Sequence, residues 1–153
     1  MNGRETEYVK KACAYVTRNG SELLVFEGPG HDGLQIPKGT VEADEDPREA
    51  LYREVIEESG VATVGRVRHL ATDVWNRRND PPKRYVRSFY RVPVHEPRDA
   101  WTHTVTGTGE ERGAEFAFRW VDLPARGEFA LDLDDYLGAL AAAEEPAGGI
   151  AAD

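Results

Sequence analysis

Residues Pro47 to Val61 read PREALYREVIEESGV, a stretch that brings Glu54, Glu57 and Glu58 within five positions of one another. Both of its ends carry helix-boundary signals. Asp46 suits the N-cap, Pro47 the first helical position, Glu49 completes a capping box, and Gly60 suits the position just past the C-terminus. A helix over about 47–59 follows. At roughly 100° per residue the three carboxylates share one arc. Leu51, Tyr52, Val55 and Ile56 fall on the opposite side for burial, and small Ala50 leaves the acidic face open. Like charges at i and i+4 repel by roughly 0.2–0.5 kcal/mol per pair, and only Arg53 is placed to pair locally, with Glu57. Carboxylates clustered on a rigid element beside a turn-rich loop suit a hard divalent cation, which would offset the repulsion. A solvated acidic face is the alternative reading.

Working outward, YVKKACAYVT and ELLVFE flank Asn19-Gly20, which predicts two antiparallel strands joined by a tight turn. GPGHDG at 28–33 is a turn-rich loop, followed by a short LQI and then PKGTVEADED, a loop that opens the helix. After the helix, VRHLATDVW and RYVRSFYRVPV read as strands around the polar NRRNDPPK. The polar stretch 95–113 is expected to be a long loop near the site, AEFAFRWVDL another strand, and Leu133 to Ala143 a last helix. The order of strands and helices predicts a single mixed α/β domain over 1–145, with 146–153 a flexible tail.

Composition excludes several classes. The chain has 153 residues, 40% hydrophobic and 31% charged, which suits one soluble domain with its own core. One cysteine, Cys13, rules out an intrachain disulfide, and its strand-like setting suits a small buried thiol better than a reactive one. The absence of a signal-like segment or a membrane-length apolar run makes the cytoplasm the expected location. A net charge of -9 argues against general nucleic-acid binding. Between Arg66 and Arg91, however, eight basic residues face two acids, a local excess that either meets an anionic ligand or is a solvated strand face.

Gly39, five residues, Glu45, seven residues and then Arg53-Glu54-Val55-Ile56-Glu57-Glu58-Ser59-Gly60-Val61 resembles the signature of the Nudix hydrolases at all nine specified positions. The resemblance implies an α/β (α+β) fold, a sandwich of helices around a mixed central sheet, in which this box forms a loop, helix and loop. It implies a hydrolase that cuts a nucleoside diphosphate linked to another moiety, with Mg²⁺ or Mn²⁺ as cofactor. Carried over by position, Glu57 and Glu58 would ligate metal together with the backbone carbonyl of Lys38. Glu54 would be a further ligand or the base that activates water, Arg53 would hold the glutamates, and Glu45 would tether the loop. Lys38 stands where many members have a second glycine, a variant compatible with carbonyl ligation. Members often recruit one more acid from a late loop, for which Glu110, Glu111 and Glu115 are the candidates.

Other motifs resolve quickly. PKGT around Lys38 looks like a phosphate loop only superficially, because that motif needs Gly-Lys-Thr and the order here is Lys-Gly-Thr. The four histidines lack metal-pair spacing, so a structural zinc site is not expected. Trp75, Tyr85, Trp101 and Trp120 are candidates for base stacking. Strand aromatics are more often core, and Trp101, in the polar stretch, is the best placed. His31 and Lys38, with Arg77, Arg78 and Arg84, are candidates for holding phosphates. The expectation is therefore a pyrophosphohydrolase acting on a small nucleotide-type substrate, with a lean to nucleotides or dinucleoside polyphosphates, as a monomer or homodimer away from membranes. The alternatives are an ADP-ribose or nucleotide-sugar pyrophosphatase and a non-catalytic nucleotide- or RNA-binding module. Retention of every box glutamate argues against the last.

Overall fold

In a computed structural model of the chain, residues 7–28, 32–62, 64–77, 83–107, 109, 111–125 and 127–144 are described, with backbone only for 77 and 141–144. Strand β1 (Glu7–Arg18) runs through the centre of a seven-stranded sheet. The Asn19-Gly20 signal holds: both residues have left-handed backbones (φ 56° and 69°), and the chain returns as β2 (Glu22–Glu27), antiparallel to β1. Gln35 then bridges back to Phe26, and β3 (Lys38–Thr40) takes over the edge of β1 beyond β2.

Helix α1 (Pro47–Ser59) has the boundaries its sequence predicts. The Asp46 side chain accepts from the Arg48 N–H, the Glu49 side chain accepts from the Asp46 N–H, and Gly60 at φ 78° donates to the Ile56 carbonyl. The remaining strands are β4 (Arg68–Arg77), β5 (Lys83–Pro93), β6 (Ala100–Thr104) and β7 (Glu115–Asp122). They complete the order β4-β5-β1-β2-β7-β6, in which β1 and β5 are parallel and the other neighbours antiparallel. A mixed sheet is what the sequence implied. Because side chains alternate along a strand, β1 sends Ala12, Ala14 and Val16 into a core under α1. Cys13 and Tyr15 enter a second core on the other face, closed by a 3₁₀ turn (Ala130–Asp132) and α2 (Leu137–Glu144). Helices cover both faces, which explains why the central strands read as nearly continuous apolar runs.

Three expectations need correction. Ala50 is fully buried, whereas Tyr52 and Ile56 are exposed at 41% and 47%, so α1 is rolled toward its acidic arc. Packing draws in Ala50, Leu51, Val55, Glu58 and Ser59, because the carboxylates line a cleft and do not face open solvent. The stretch 95–113 is not one loop: Ala100–Thr104 pairs along β7. The last helix starts at Leu137 and not at Leu133, because the intervening residues are spent in turns, with Asp135 N–H bonded to the Asp132 carbonyl and Leu137 N–H to the Asp134 carbonyl. Among the described residues no helix is long and apolar enough to cross a membrane.

Candidate active site

The box folds around Arg53. Its Nε donates to Glu45 Oε2 at 2.7 Å and Nη2 to Glu45 Oε1 at 2.8 Å, a bidentate pair across the loop. Nη1 donates to Glu54 Oε2 at 2.7 Å and to Glu57 Oε1 at 3.4 Å, and Nη2 also reaches the Thr40 carbonyl at 3.0 Å. One guanidinium thus orients three carboxylates and the end of β3. Glu45 is held below the usual carboxylate range by that bond. Burial pushes Glu54 above it, against the pull of Arg53. Gly39 is required beside Glu54, because a β-carbon there would lie within its carboxyl group.

Glu58 is only 2% exposed. It accepts from the Lys38 N–H at 3.1 Å, and burial, with the Glu111 carboxylate beside it, pushes its carboxyl well above the ordinary range. Lys38 pairs with Cys13 at a register position between the hydrogen-bonded pairs Ala14–Pro37 and Lys10–Val41, so its N–H and C=O both turn away from β1, and the N–H meets Glu58. Glu57 sits at the rim, and its backbone carbonyl accepts from the Thr106 N–H at 3.1 Å and meets His103 Nε2 at 3.0 Å.

These groups form one wall of a cleft of about 640 Å³. Its floor is the face of β1 and β5 carrying Val9, Lys11, Cys13, Tyr85 and Arg87, and its far end is closed by Trp75, Leu131 and Leu133. Of the proposed extra acids, Glu111 lines the cleft, Glu115 is exposed on β7 opposite Thr104, and Glu110 lies outside the described residues. Of the proposed substrate contacts, Lys38 lines the cleft, and His31, Arg78 and the side chain of Arg77 lie outside the described residues. Arg84 turns to Tyr8, donating to its hydroxyl at 3.2 Å. Trp101 lies on β6 and not in an open loop. It stacks on Phe118 within the sheet and donates from Nε1 to the Ser59 carbonyl at 2.8 Å, capping α1.

Trp75 and Tyr85, stacking candidates that as strand aromatics weigh more toward core, line the cleft, and so does Lys11, which no motif marks. The available signal was phase: Lys11 lies two residues before Cys13 and four before Tyr15, on the inward face of β1. Cys13 itself is fully buried, and burial pushes its thiol up to about 12, which leaves it unreactive.

A domain model described as NUDIX matches residues 7–136. The chain belongs to the Nudix family. Two curated Nudix relatives are named RNA pyrophosphohydrolase. One, from Psychrobacter sp., is 44% identical over 70 residues, covering 43% of this chain and 38% of the relative. The other, from Halorhodospira halophila, is 39% identical over 72 residues, 47% and 39% of the two chains. The matches therefore span less than half of either relative. Among solved structures, a MutT protein from Methanosarcina mazei superposes at TM-score 0.63 with 17% identity over 92% of this chain and 98% of its own. A MutT NUDIX hydrolase from Burkholderia pseudomallei superposes at 0.61 with 21% identity, covering 87% and 98%. The pyrophosphohydrolase BsRppH from Bacillus subtilis superposes at 0.58 with 18% identity, covering 92% and 83%. At these identities the structural likeness bears on the fold, which is Nudix in all three.

The donor set can be tested against the divalent cation that Nudix hydrolases generally use. Among the described residues no three acidic, histidine or cysteine side chains enclose a cation unaided. The groups at hand are nevertheless all oxygens: Glu54, Glu57, Glu58, Glu111 and the Lys38 carbonyl. Glu58 and Glu111, carboxylate beside carboxylate at a buried position, call for a proton or a cation between them. Such a set fits a hard ion that keeps part of its shell as water and substrate oxygens.

Proposed function

We propose that the protein is a divalent-metal-dependent pyrophosphohydrolase of nucleotides or nucleoside-diphosphate derivatives. The observation that carries this reading is the cleft itself, with four glutamates on one wall, two of them braced by Arg53, facing a floor of cations and aromatics. Glu57, Glu58 and the Lys38 carbonyl would hold the cation. A cation bound there would neutralise charge on the phosphate oxygens and lower the pKa of the attacking water. Glu54 takes that water's proton or adds its oxygen to the metal shell, and either role is served by the position Arg53 gives it. Arg53, itself lining the cleft, keeps Glu54 and Glu57 placed through its bonds to them and to the loop.

Glu57→Gln is expected to lower kcat by at least about 10²-fold with Mg²⁺ or Mn²⁺ while circular dichroism stays unchanged. Wild-type turnover in that variant would sink the metal assignment. A panel of nucleoside triphosphates, dinucleoside polyphosphates, ADP-ribose and nucleotide sugars, read by product identity, identifies the substrate. A second reading, cleavage of a pyrophosphate bond at the end of an RNA, is favoured by the names of the two curated relatives. A 5′-triphosphorylated oligoribonucleotide in the same panel decides it. Hydrolysis of none of these compounds would leave a binding module.

A further inference from the structure

Lys11 is a cation whose ammonium rests on a neutral hydroxyl. It lies on β1 in phase with Val9 and Cys13, all three lining the cleft, and its Nζ donates to the neutral hydroxyl of Thr40 at 2.9 Å. Among the described residues it makes no ion pair within 4.0 Å, whereas Arg18, Arg53, Arg87 and Arg98 are each matched to carboxylates at 2.7–2.9 Å. Burial and the Lys38 ammonium weaken its charged form, and the more distant Glu111 and Glu54 carboxylates only partly offset them. A charge kept under those conditions on a cleft floor is a site for an anion.

Its place along the cleft says which part of the ligand that anion is. On one side lies the carboxylate wall, and Thr40, the hydroxyl partner, follows Gly39 directly against Glu54. On the other side the Tyr85 ring centroid is 5.8 Å from Nζ, and the Trp75 ring is 6.1 Å beyond Tyr85. Trp75 is itself fixed: Nε1 donates to Asp132 Oδ2 at 2.9 Å, and the Arg87 guanidinium lies 5.3 Å from the ring. The order is acids, lysine, aromatic rings.

We propose that Lys11 binds a phosphate of the substrate midway along the cleft and so sets its direction, with the scissile anhydride toward Glu54 and the nucleoside over Tyr85 and Trp75. The proposal rests on the reading of the substrate as a nucleoside-diphosphate derivative. It differs from the hydrolase reading in requiring neither metal nor turnover, so the two can fail separately. Lys11 is a positioning residue, outside the reacting atoms.

The test is calorimetric binding of ADP, GDP, adenosine and guanosine at low salt with EDTA, using wild type, Lys11→Met, Lys11→Arg and, as control, the exposed Lys10→Met. Lys11→Met is expected to weaken diphosphate binding by about tenfold or more, the loss of one charge-assisted contact, and to leave nucleoside binding unchanged. Lys11→Arg restores most of the loss, and Lys10→Met has no effect. In steady-state assays Lys11→Met raises KM and leaves kcat within a few-fold. Its thermal midpoint stays level or rises, because a desolvated charge is removed. Equal diphosphate affinity in wild type and Lys11→Met, equal losses for diphosphate and nucleoside, or no preference of the wild type for the diphosphate would each overturn the proposal. The expected binding pattern in a protein that hydrolyses nothing would uphold the anion site and refute the hydrolase.

Discussion

Arg53 makes five hydrogen bonds, to three glutamates and the Thr40 carbonyl, and this explains how like charges coexist on one turn of helix. The benefit is geometric as much as electrostatic. Arg53→Lys keeps the charge but not the planar fork, so it should lower kcat by about 10²-fold with a smaller change in KM, as expected when catalytic groups are misplaced by about 1 Å. A kcat within twofold of wild type would mean that charge alone suffices. Gly39→Ala should have a similar effect by displacing Glu54, with secondary structure intact by circular dichroism. These residues were legible because their relationship is local: Glu45, Arg53, Glu54 and Glu57 find one another through loop and helix spacing alone. Lys11 was not, and Trp75 and Tyr85 were stacking candidates weighed more heavily as core, because strand phase tells which residues share a face but not that the face opens into a cleft.

At the level of the helix, α1 is held at both ends. Its N-terminus caps itself through Asp46 and Glu49. Its last carbonyls, which no helix can satisfy internally, are met from the β6 region: Ser59 by Trp101 Nε1, and Glu57 by the Thr106 N–H and His103. Trp101→Phe removes one of these donors while keeping most of the ring packing on Phe118. Urea unfolding should show a loss of about 1 kcal/mol. No measurable change would mean that the Ser59 carbonyl finds another partner. The N-terminal cap was readable from four consecutive residues. At the C-terminus Gly60 was readable too, but the β6-region donors were not, since they lie more than forty positions downstream in a stretch too polar to announce a strand.

Across the whole molecule, β5 is tied to the C-terminal segment by a buried network. Arg87, 4% exposed, donates to both Asp73 oxygens at 2.9 and 2.7 Å and to the Leu131 carbonyl at 2.8 Å, and the Tyr136 hydroxyl donates to Asp73 at 2.8 Å. Burial opposes the Asp73 charge, but the bonds from Arg87 and Tyr136 outweigh it and hold the carboxyl below its usual range. A depressed pKa contributes stability that is complete above the unfolded value of about 3.9 and is lost as pH falls through the folded value. Asp73→Asn should therefore cost about 2–3 kcal/mol near pH 7, with the gap to wild type narrowing below about pH 4. A gap independent of pH would assign the loss to packing. Millimolar Mg²⁺ should raise the thermal midpoint of the wild type by mass action and raise that of Glu57→Gln less. Equal shifts would place the ion elsewhere. The parallel partnership of β1 and β5 has one further consequence. It joins Glu7 to Lys83 and Lys11 to Arg87, residues 76 apart. During synthesis the acidic helix is complete long before β5 exists, so the nascent chain carries its carboxylates on a structure that lacks the β5 half of its floor. Any ligand that needs both walls can reach the protein only after β5 has joined the sheet, and ligand rescue of a destabilised variant should act after that step and not before it.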